Sequence, residues 1–591
     1  MKQNERTGII FCDPPDGYAQ MDLSELVIYA RENLNIPVVI EHSRYLFSDF
    51  QVLLETIKQH RLTYIILAGL QPERYITMVR KAMMENGLPA LSVQVVPLES
   101  LWVANTRPGQ KVFEKIRKVY EAIGSEHHSL KTQNPDTLVI GGGIAGIQAS
   151  LEIAKAGLKV HLLEKTGTIG GHMAMFDKTF PTLDCAACIL TPKMVDVGQD
   201  PNITMHTYSE VIGVSGGPGD FKVKIRNKAR RVNLETCIGC GTCAEKCPSK
   251  ASSEFDAGTN LRKAIYIPFP QAVPNKFMID EESCRYVQGK KCGVCVKMCP
   301  VEGCIDLDEK DKEIEINVGH IIVATGFQLF DASRISQYGY GKLPNVLTSL
   351  EFERLINAAG PTEGNIVGRT QDKKGNWIFE NGSPVPGKVG IIHCVGSRDD
   401  NYNSHCSKVC CMYSLKLAHL VKEKLPDAEV YEYYIDMRAF GKGYEEFYNR
   451  INEEGIHIIR GRTAQITESG NHMIMRSEDM INGRMLEQEV DMVILSVGLE
   501  PRKENTELAR MLRIEIDHQG WFKPQYEMAN PVGTISPGIH IAGVCQGPKD
   551  IPDTVAEASA AAAGVIQNIL SGRIHSTDIQ FKTKTNLEKI S

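Results

Sequence analysis

Residues 137–164 constrain the fold of this chain more than any other stretch. The apolar run TLVI leads straight into Gly141, Gly143 and Gly146, the helix-patterned segment IQASLEIAKAGL follows, and a second apolar run, KVHLLE, ends on Glu164. Strand, glycine turn, helix, strand and acid in that order make a βαβ unit. The glycines allow a tight turn and a close approach of backbone to a pyrophosphate, the helix N-terminus stabilises its charge, and an acid about 20 residues on meets ribose hydroxyls. A bare glycine pattern is weak evidence, but in this setting it specifies a dinucleotide-binding α/β domain with a mostly parallel sheet.

At 591 residues the chain has room for roughly four domains of about 150 residues each. Its 72 acidic residues slightly outnumber the 66 basic ones, which excludes a bulk polyanion binder and makes nucleic acid an unexpected partner. No apolar run approaches the ~20 residues of a membrane helix, so no direct membrane span is expected. The opening MKQNERTGIIFCDPP reads as a buried strand, not a signal peptide, and the expected location is the cytoplasm.

The β-α alternation assigns residues 1–131 to an N-terminal α/β domain, in which GIIFC, IPVVIE, TYIILAG and LSVQVV are strands and SELVIYARENL, FQVLLETIKQH and RYITMVRKAMMENG helices. Residues 132–231, 309–387 and 500–591 are assigned to the dinucleotide domain, which closes on the Ala-rich helix TVAEASAAAAGVIQNIL. Residues 232–308 interrupt it as an inserted module. Residues 388–499 form a second Rossmann-like domain, with VGIIHC and EVYEYYID as strands.

Of the 17 cysteines, all but Cys12 and Cys545 fall into three groups. Uneven clustering in a large chain points to metal ligation or redox chemistry, not to a disulfide scaffold. Cys237, Cys240, Cys243 and Cys247, with Pro248, match the C-x2-C-x2-C-x3-C-P run of two-cluster ferredoxins, in which the fourth thiolate ligates the neighbouring cluster. Cys284, Cys292, Cys295 and Cys299, with Pro300, repeat the pattern with a longer first spacing. Swapped ligation gives one [4Fe–4S] cluster to Cys237, Cys240, Cys243 and Cys299, and a second to Cys247, Cys284, Cys292 and Cys295. Cys304 is spare and rivals Cys284. Zinc could suit any two Cys-x2-Cys pairs, but the trailing Cys-Pro in both runs favours the clusters.

The second Rossmann-like unit lacks a glycine fingerprint. Its first loop, HCVGSRDDNYNSHCSKVCC, places Cys394, Cys406, Cys410 and Cys411 between strand and helix, where a pyrophosphate would otherwise sit. A helix N-terminus stabilises negative charge, so a third thiolate-ligated [4Fe–4S] cluster is expected there. A vicinal Cys410–Cys411 disulfide or a redox dithiol is the alternative. Cys185 and Cys188, in FPTLDCAACILTPKM, are a redox-active or ligand pair on one reading and structural on the other. Lys442 and Arg438 are candidates for shaping the charge of a cofactor, although such side chains are commonly surface ion-pair partners.

Glu164, Lys165, Gly170 and Gly171, the turn Ala324, Thr325 and Gly326, and IAGVCQGP with Gly543 and Cys545 resemble the two-dinucleotide-domain flavoproteins of the thioredoxin reductase type. That resemblance implies FAD on the first glycine loop. Such enzymes commonly carry an Asp after the late Gly; here Cys545 stands two places on, and a buried small hydrophobe is the plain reading of it.

More specifically, HCVGSRD with CSKVCC, TLDCAACILTPKM, RKAIYIPFPQAVPNK, DMRAFGKGYEEFY and CQGPKDIPDTVAEASAAAA resemble the A subunit of heterodisulfide reductase, over roughly residues 131–570. The resemblance implies an FAD- and iron–sulfur-containing oxidoreductase subunit of a multi-subunit complex. There FAD splits or merges electron pairs between a high-potential, disulfide-type acceptor and low-potential ferredoxin. Implied partners are further heterodisulfide-reductase-like subunits, ferredoxin, and an electron-input protein such as a hydrogenase, a dehydrogenase or a small iron–sulfur protein, assembled as a dimer of heteromers. The rival readings are a non-bifurcating relay and an NAD(P)H-linked flavin reductase component of another complex. Two departures stand out: this chain lacks the further two-cluster ferredoxin domain with which longer members end, and Phe47 stands where a cysteine of an N-terminal cluster is expected.

Overall fold

The computed structural model describes residues 134–571 without a break, together with residues 6–12, 23–34, 36, 38–40, 50–69, 93–98, 110–125 and scattered positions between 72 and 83. It divides into two compact units, Met1–Ser129 and Leu130–Ser591.

The first unit is built on a four-stranded parallel sheet in the order Val38–Ile40, Thr7–Cys12, Tyr64–Gly69, Val93–Pro97. Alternate residues of the central strands serve opposite faces. Ile9, Phe11, Ile66 and Ala68 pack under the helices Ser24–Glu32 and Gln110–Ser125, while Ile10, Cys12, Ile65 and Leu67 pack with Leu53 and Ile57 of the helix Phe50–His60. Burial on both faces explains why these strands read as continuous apolar runs. Phe47 and most of the expected helix RYITMVRKAMMENG lie outside the described residues.

The second unit contains two parallel five-stranded sheets. The first runs Ile539–Ile541, His320–Val323, Thr137–Ile140, Val160–Glu164, Ile203–Thr207. On one face the helix Ile144–Lys155 meets the Ala-rich helix Ile551–Ser571, and Ala149, Ala558, Ala561 and Ala562 pack in one core with Ile147 and Val139. Small side chains let the two helices approach closely while both cover the sheet. The other face is covered by an antiparallel three-stranded sheet of Ser209–Gly217, Asp220–Asn227 and Lys312–Val318. Lys312 pairs with Asn227, so the inserted module leaves and re-enters at neighbouring points of one hairpin.

The second parallel sheet runs Val346–Thr348, Met492–Val497, Lys388–Val395, Glu429–Tyr434, His457–Arg460. Its edge strand and the following helix, Ser349–Ile356, come from the stretch that the sequence pattern assigns to the dinucleotide domain. The reason is visible in the residues. Thr348 and Glu351 form a capping box that starts the helix, and Phe352, Leu355 and Ile356 then bury against Val389, Ile391 and Ile494 of this sheet. The second domain therefore begins before Val346, not at Lys388. Its helix Cys410–Lys424 packs against the sheet, and the strands Thr463–Ser469, His472–Asp479 and Arg484–Val490 form an antiparallel layer.

Candidate functional site

A cavity of about 550 Å³ lies where the dinucleotide domain, the inserted module and the second domain meet. Its floor is the glycine loop. Gly141 has φ +112°, and a Cβ there would stand 2.3 Å from the Ala324 carbonyl oxygen; a Cβ on Gly146 would stand 1.8 Å from the Gly141 oxygen. Both positions therefore require glycine for close packing of strand, turn and helix. Gly143 differs, since a Cβ would meet nothing within 4 Å and the residue opens on the cavity. It caps the helix Ile144–Lys155 without a side-chain acceptor, which leaves first-turn N–H groups available to an anion.

Glu164 is buried at the end of its strand. Its carboxylate accepts from Gly142 N at 2.7 Å and from Thr166 N at 2.8 Å, which fixes it beside the loop, where ribose hydroxyls would reach it. Lys165, Gly171, Ala324, Thr325 and Gly326 also line the cavity, and Gly170 (φ +123°) turns the chain into the short helix Gly171–Met175. The Ala-rich helix starts at the same cavity, with Asp550 capping it by accepting from Asp553 N at 2.9 Å. These features form a dinucleotide cradle with two helix N-termini, and they fit FAD.

Cys545 does not contribute to that lining. It is fully buried on the far side, where its thiol donates to the Val323 and Ala542 carbonyls at 3.3 and 3.2 Å, and burial pushes it up to about 12. The Gly543 N–H is taken by Glu557 at 3.0 Å, and Glu557 also pairs with Lys549, which does line the cavity. Lys442, in the turn before the helix Tyr444–Glu453, is not among the residues that line the cavity. Arg438 is likewise outside. Cys185 and Cys188 are exposed at the start of the helix Ala186–Gln199, where the Cys185 sulfur accepts from Cys188 N at 3.2 Å. The structure does not bring this pair to the cavity.

Residues not singled out as site candidates complete the walls. Lys416 and Glu353 form an ion pair whose side chains are 3% and 5% exposed. Lys416 also donates to the Lys178 carbonyl at 3.0 Å, and Glu353 accepts from Asp177 N at 3.0 Å. Tyr413 donates to the Val497 carbonyl at 2.7 Å. From the inserted module come Phe255, stacked on Phe269 at 4.4 Å, and Tyr266, with the Arg262 guanidinium 3.8 Å over its ring. The available sequence signals are a lysine between Leu415 and Leu417 at Lys416 and, for Arg262, Tyr266 and Phe269, their place in RKAIYIPFPQAVPNK.

The cysteines of the insert gather into two nests. Cys237, Cys240, Cys243, Cys299 and Cys304 surround one small cavity with Val232, Phe277 and Ile305. Cys247, Cys284, Cys292 and Cys295 surround another with Ala264, Ile265 and Ile279. This is the grouping that swapped ligation calls for. Cys304 sits with the first nest and so does not compete with Cys284. Burial is the main force that pushes Cys243 up to about 12 and Cys295 up to about 11. Thiols so disfavoured as free anions become thiolates readily only beside a strong positive charge such as iron.

A short ladder divides both nests from the flavin-type cavity. Ile265 pairs with Ile279 and Tyr266 with Met278. Tyr266 and Met278 face the cavity, while Phe277 and Ile279 face the first and second nests, as strand alternation dictates.

The third group lies against another wall. Cys394, Cys410 and Cys411 are buried together with Tyr413, Ile435 and Met437 around them, and the Cys394 and Cys410 sulfurs are 3.8 Å apart. Cys406 stands nearer the surface on the same loop, its sulfur accepting from Lys408 N at 3.3 Å. Cys394, Arg398 and Lys408 all take positive φ, near +55°, so this loop stores strain of the kind found at functional sites. The helix Cys410–Lys424 begins without a side-chain cap. Cys410 donates to its neighbours, which with His393 pulls Cys411 down to about 4 and lowers Cys394. Burial would lower His393, but the Glu432 carboxylate at 2.5 Å and the Cys411 thiol outweigh it and lift His393 to about 10. Cys394 and Cys411 are thus drawn toward the thiolate form while Cys410 is held as the thiol between them. Tyr413 lies between it and the cavity, which Tyr413 and Val409 both line.

A dinucleotide cradle walled by cysteine nests is the architecture of a flavin-dependent oxidoreductase with iron–sulfur centres. Sequence comparison agrees: the FAD dependent oxidoreductase family matches residues 136–177 and the 4Fe-4S binding domain matches residues 230–252. An iron-sulfur A subunit of the CoB–CoM heterodisulfide reductase of Methanopyrus kandleri is 42% identical over 594 residues, covering 97% of this chain and 86% of that protein. The A subunit of the H(2):CoB-CoM heterodisulfide,ferredoxin reductase of Methanothermobacter thermautotrophicus is 40% identical, covering 94% and 83%. Among solved structures, thioredoxin reductase of T. acidophilum aligns over 74% of this chain and 99% of its own at 13% identity and TM-score 0.40. The chain belongs to the family of heterodisulfide reductase A subunits. It is an oxidoreductase component of a complex, and among the described residues no helix is long and apolar enough to cross a membrane.

Proposed function

We propose that this chain is the component of a cytoplasmic heterodisulfide-reductase-like complex in which electron pairs are split or merged between a high-potential, disulfide-type acceptor and low-potential ferredoxin. The observation that carries the reading is the cavity's position. One wall, Tyr266 and Met278, backs onto the two cysteine nests of the insert, and another, Val409 and Tyr413, backs onto Cys394, Cys410 and Cys411. Flavin, when bound, exchanges electrons in pairs or singly, whereas each [4Fe–4S] cluster passes one at a time.

The chain's own residues do the positioning. The glycine loop and the N-terminus of the helix Ile144–Lys155 receive the pyrophosphate, and Glu164 the ribose. The Lys416 ammonium, fixed by Glu353 and the Lys178 carbonyl, places a buried positive charge in the wall. Phe255, Phe269 and Tyr266 exclude water. Twelve thiols in three nests would hold three clusters: Cys237, Cys240, Cys243 and Cys299; Cys247, Cys284, Cys292 and Cys295; and Cys394, Cys406, Cys410 and Cys411.

Charge on the insert favours an acidic protein as the low-potential partner. Between Cys284 and Val301 there is no Asp or Glu, while Arg285, Lys290, Lys291 and Lys297 are all exposed beside the second nest, with Val296 and Met298 exposed among them. Such a patch steers a small anionic carrier toward the cysteines. The remaining components of the complex, arranged as a dimer of heteromers, would supply the disulfide site and the electron input.

The test is anaerobic purification with the native partner proteins, followed by limiting reductant with ferredoxin and disulfide offered singly and together. Ferredoxin reduction that requires the disulfide supports the reading. Independent reduction of either acceptor overturns it and makes the chain a relay.

A further inference from the structure

The first cysteine nest holds one thiol more than a cubane needs. The second nest is lined by four cysteines, whereas five line the first. The fifth, Cys304, is 3% exposed, and its side chain reaches both the Cys299 thiol and the Thr236 hydroxyl. Its backbone is anchored from both sides. The Cys304 carbonyl accepts from Asn233 N at 2.9 Å, and next to it Ile305 bridges to Val232, so residue 304 is tied to the segment that leads into Cys237. Cys299 has a different setting. It ends the five-residue helix Val294–Met298, whose side chains are none of them buried, and is itself only half-buried. Two thiols in contact therefore compete for one corner of the nest, one on an open edge and one in the dry floor.

We propose that the iron at this corner of the first cluster is held interchangeably by Cys299 or Cys304. The proposal rests on the swapped ligation given above. In the exchange the iron–sulfur bond to Cys299 breaks as one to Cys304 forms. The Cys304 thiol proton passes to the Cys299 sulfur across their contact, so no electron moves and the net charge of the nest is unchanged. The two ligation states differ in solvent exposure and in hydrogen bonding to the ligating sulfur, since Thr236 contacts Cys304, and both properties set a cluster's potential. One polypeptide thereby presents the same cluster at two potentials.

Four variants of the full chain, purified anaerobically, test this: Cys299→Ala, Cys304→Ala, the double variant, and Cys240→Ala. Iron per chain and the electron paramagnetic resonance spectrum of the reduced protein are the readouts, with bound flavin per chain as the measure of an intact fold. Cys299→Ala and Cys304→Ala should each keep the full iron content, while the double variant and Cys240→Ala each lose about four irons. The two single variants should also differ from each other in the midpoint potential of one cluster. If Cys299→Ala loses as much iron as the double variant, Cys304 is no ligand and the proposal falls. If Cys240→Ala keeps all its iron, the ligation beneath the proposal is wrong instead. Should an alanine variant lose its flavin, the serine variant at the same position, closer in volume, carries the same comparison.

Discussion

Replacing Lys416 with Met removes the cation paired with Glu353 in the cavity wall. Both side chains are almost wholly buried, at 3% and 5% exposure, so the regime is not that of surface pairs, whose median worth is about 0–1 kcal/mol. Breaking a buried pair from one side leaves a charge with too few partners and costs about 3–5 kcal/mol. Glu353 retains one donor, the Asp177 N–H, which places the expected loss toward the lower end of that range. Glu353→Gln strands the ammonium instead, with the Lys178 carbonyl still accepting from it, and should cost a similar amount. The double variant, Lys416→Met with Glu353→Gln, leaves no buried charge at this position and should cost clearly less than the two single losses added together. A coupling of about 2 kcal/mol or more is expected from contacting, buried partners. Urea unfolding of the flavin-loaded chain, followed by circular dichroism, gives the four corners of this cycle. A loss below about 1 kcal/mol for Lys416→Met, or additive single effects, would refute the argument that this wall is pinned by a desolvated pair.

Three further outcomes are expected. Gly146→Ala places a Cβ 1.8 Å from the Gly141 oxygen, a backbone atom that cannot step aside, so the chain should be purified with most of its FAD missing; near-normal flavin absorbance would show that the loop has more room than its geometry allows. Lysine-to-glutamate replacement at Lys290, Lys291 and Lys297 together should raise KM for an acidic ferredoxin roughly tenfold, about 1.4 kcal/mol, and leave reduction of a small viologen dye unchanged; an unchanged KM would put the docking surface elsewhere. Burial pushes His320 and His540 down to about 4 from 6.5, and among the described residues neither ring has a hydrogen-bond partner. Because the folded pKa lies below the unfolded one, the stability tied to these groups is full above about pH 6.5 and drains as pH falls toward 4. At pH 5.5 each contributes a loss of about 1.4 kcal/mol. The urea midpoint should therefore drop between pH 7.5 and 5.5, and His540→Leu should flatten that slope; an unchanged slope would mean that His540 is not held neutral.

The parts legible in sequence are those whose chemistry is written within a few consecutive residues. Gly141, Gly143 and Gly146 with Glu164 lie inside one βαβ unit, so spacing alone specifies their meeting. The two Cys-Pro runs behave similarly: spacing within each run and the swap of the fourth thiolate together determine which cysteines share a nest. Contacts between distant segments are not legible. Glu353 and Lys416 are 63 positions apart and belong to no motif. Lys442 attracts attention because it stands in a glycine-flanked turn, yet it does not line the cavity, whereas Lys416, which does, is hidden in a helix between two leucines. Val346–Thr348 goes to the wrong domain on pattern alone because three residues of strand carry no pattern of their own; the capped helix after them decides where they go. Cys304 reads as a rival of Cys284 because the first spacing of the second run is too long to decide between them, and contacts between distant segments, such as the bridge from Val232 to Ile305, reveal which nest it joins.

The ladder of Ile265 and Tyr266 against Met278 and Ile279 makes the insert sensitive to single-residue changes in length. A side chain on this strip belongs either to the cysteine side or to the cofactor side, by parity alone. Deleting one residue before Met278 would slip the register by one and turn Ile279 toward the dinucleotide cradle and Met278 toward the thiols, with no change in the strip's own composition. Deleting two would restore the original facing. Which of these four side chains meets the cofactor and which meets the thiols is therefore set by the two-residue period of the backbone, whatever the composition of the strip.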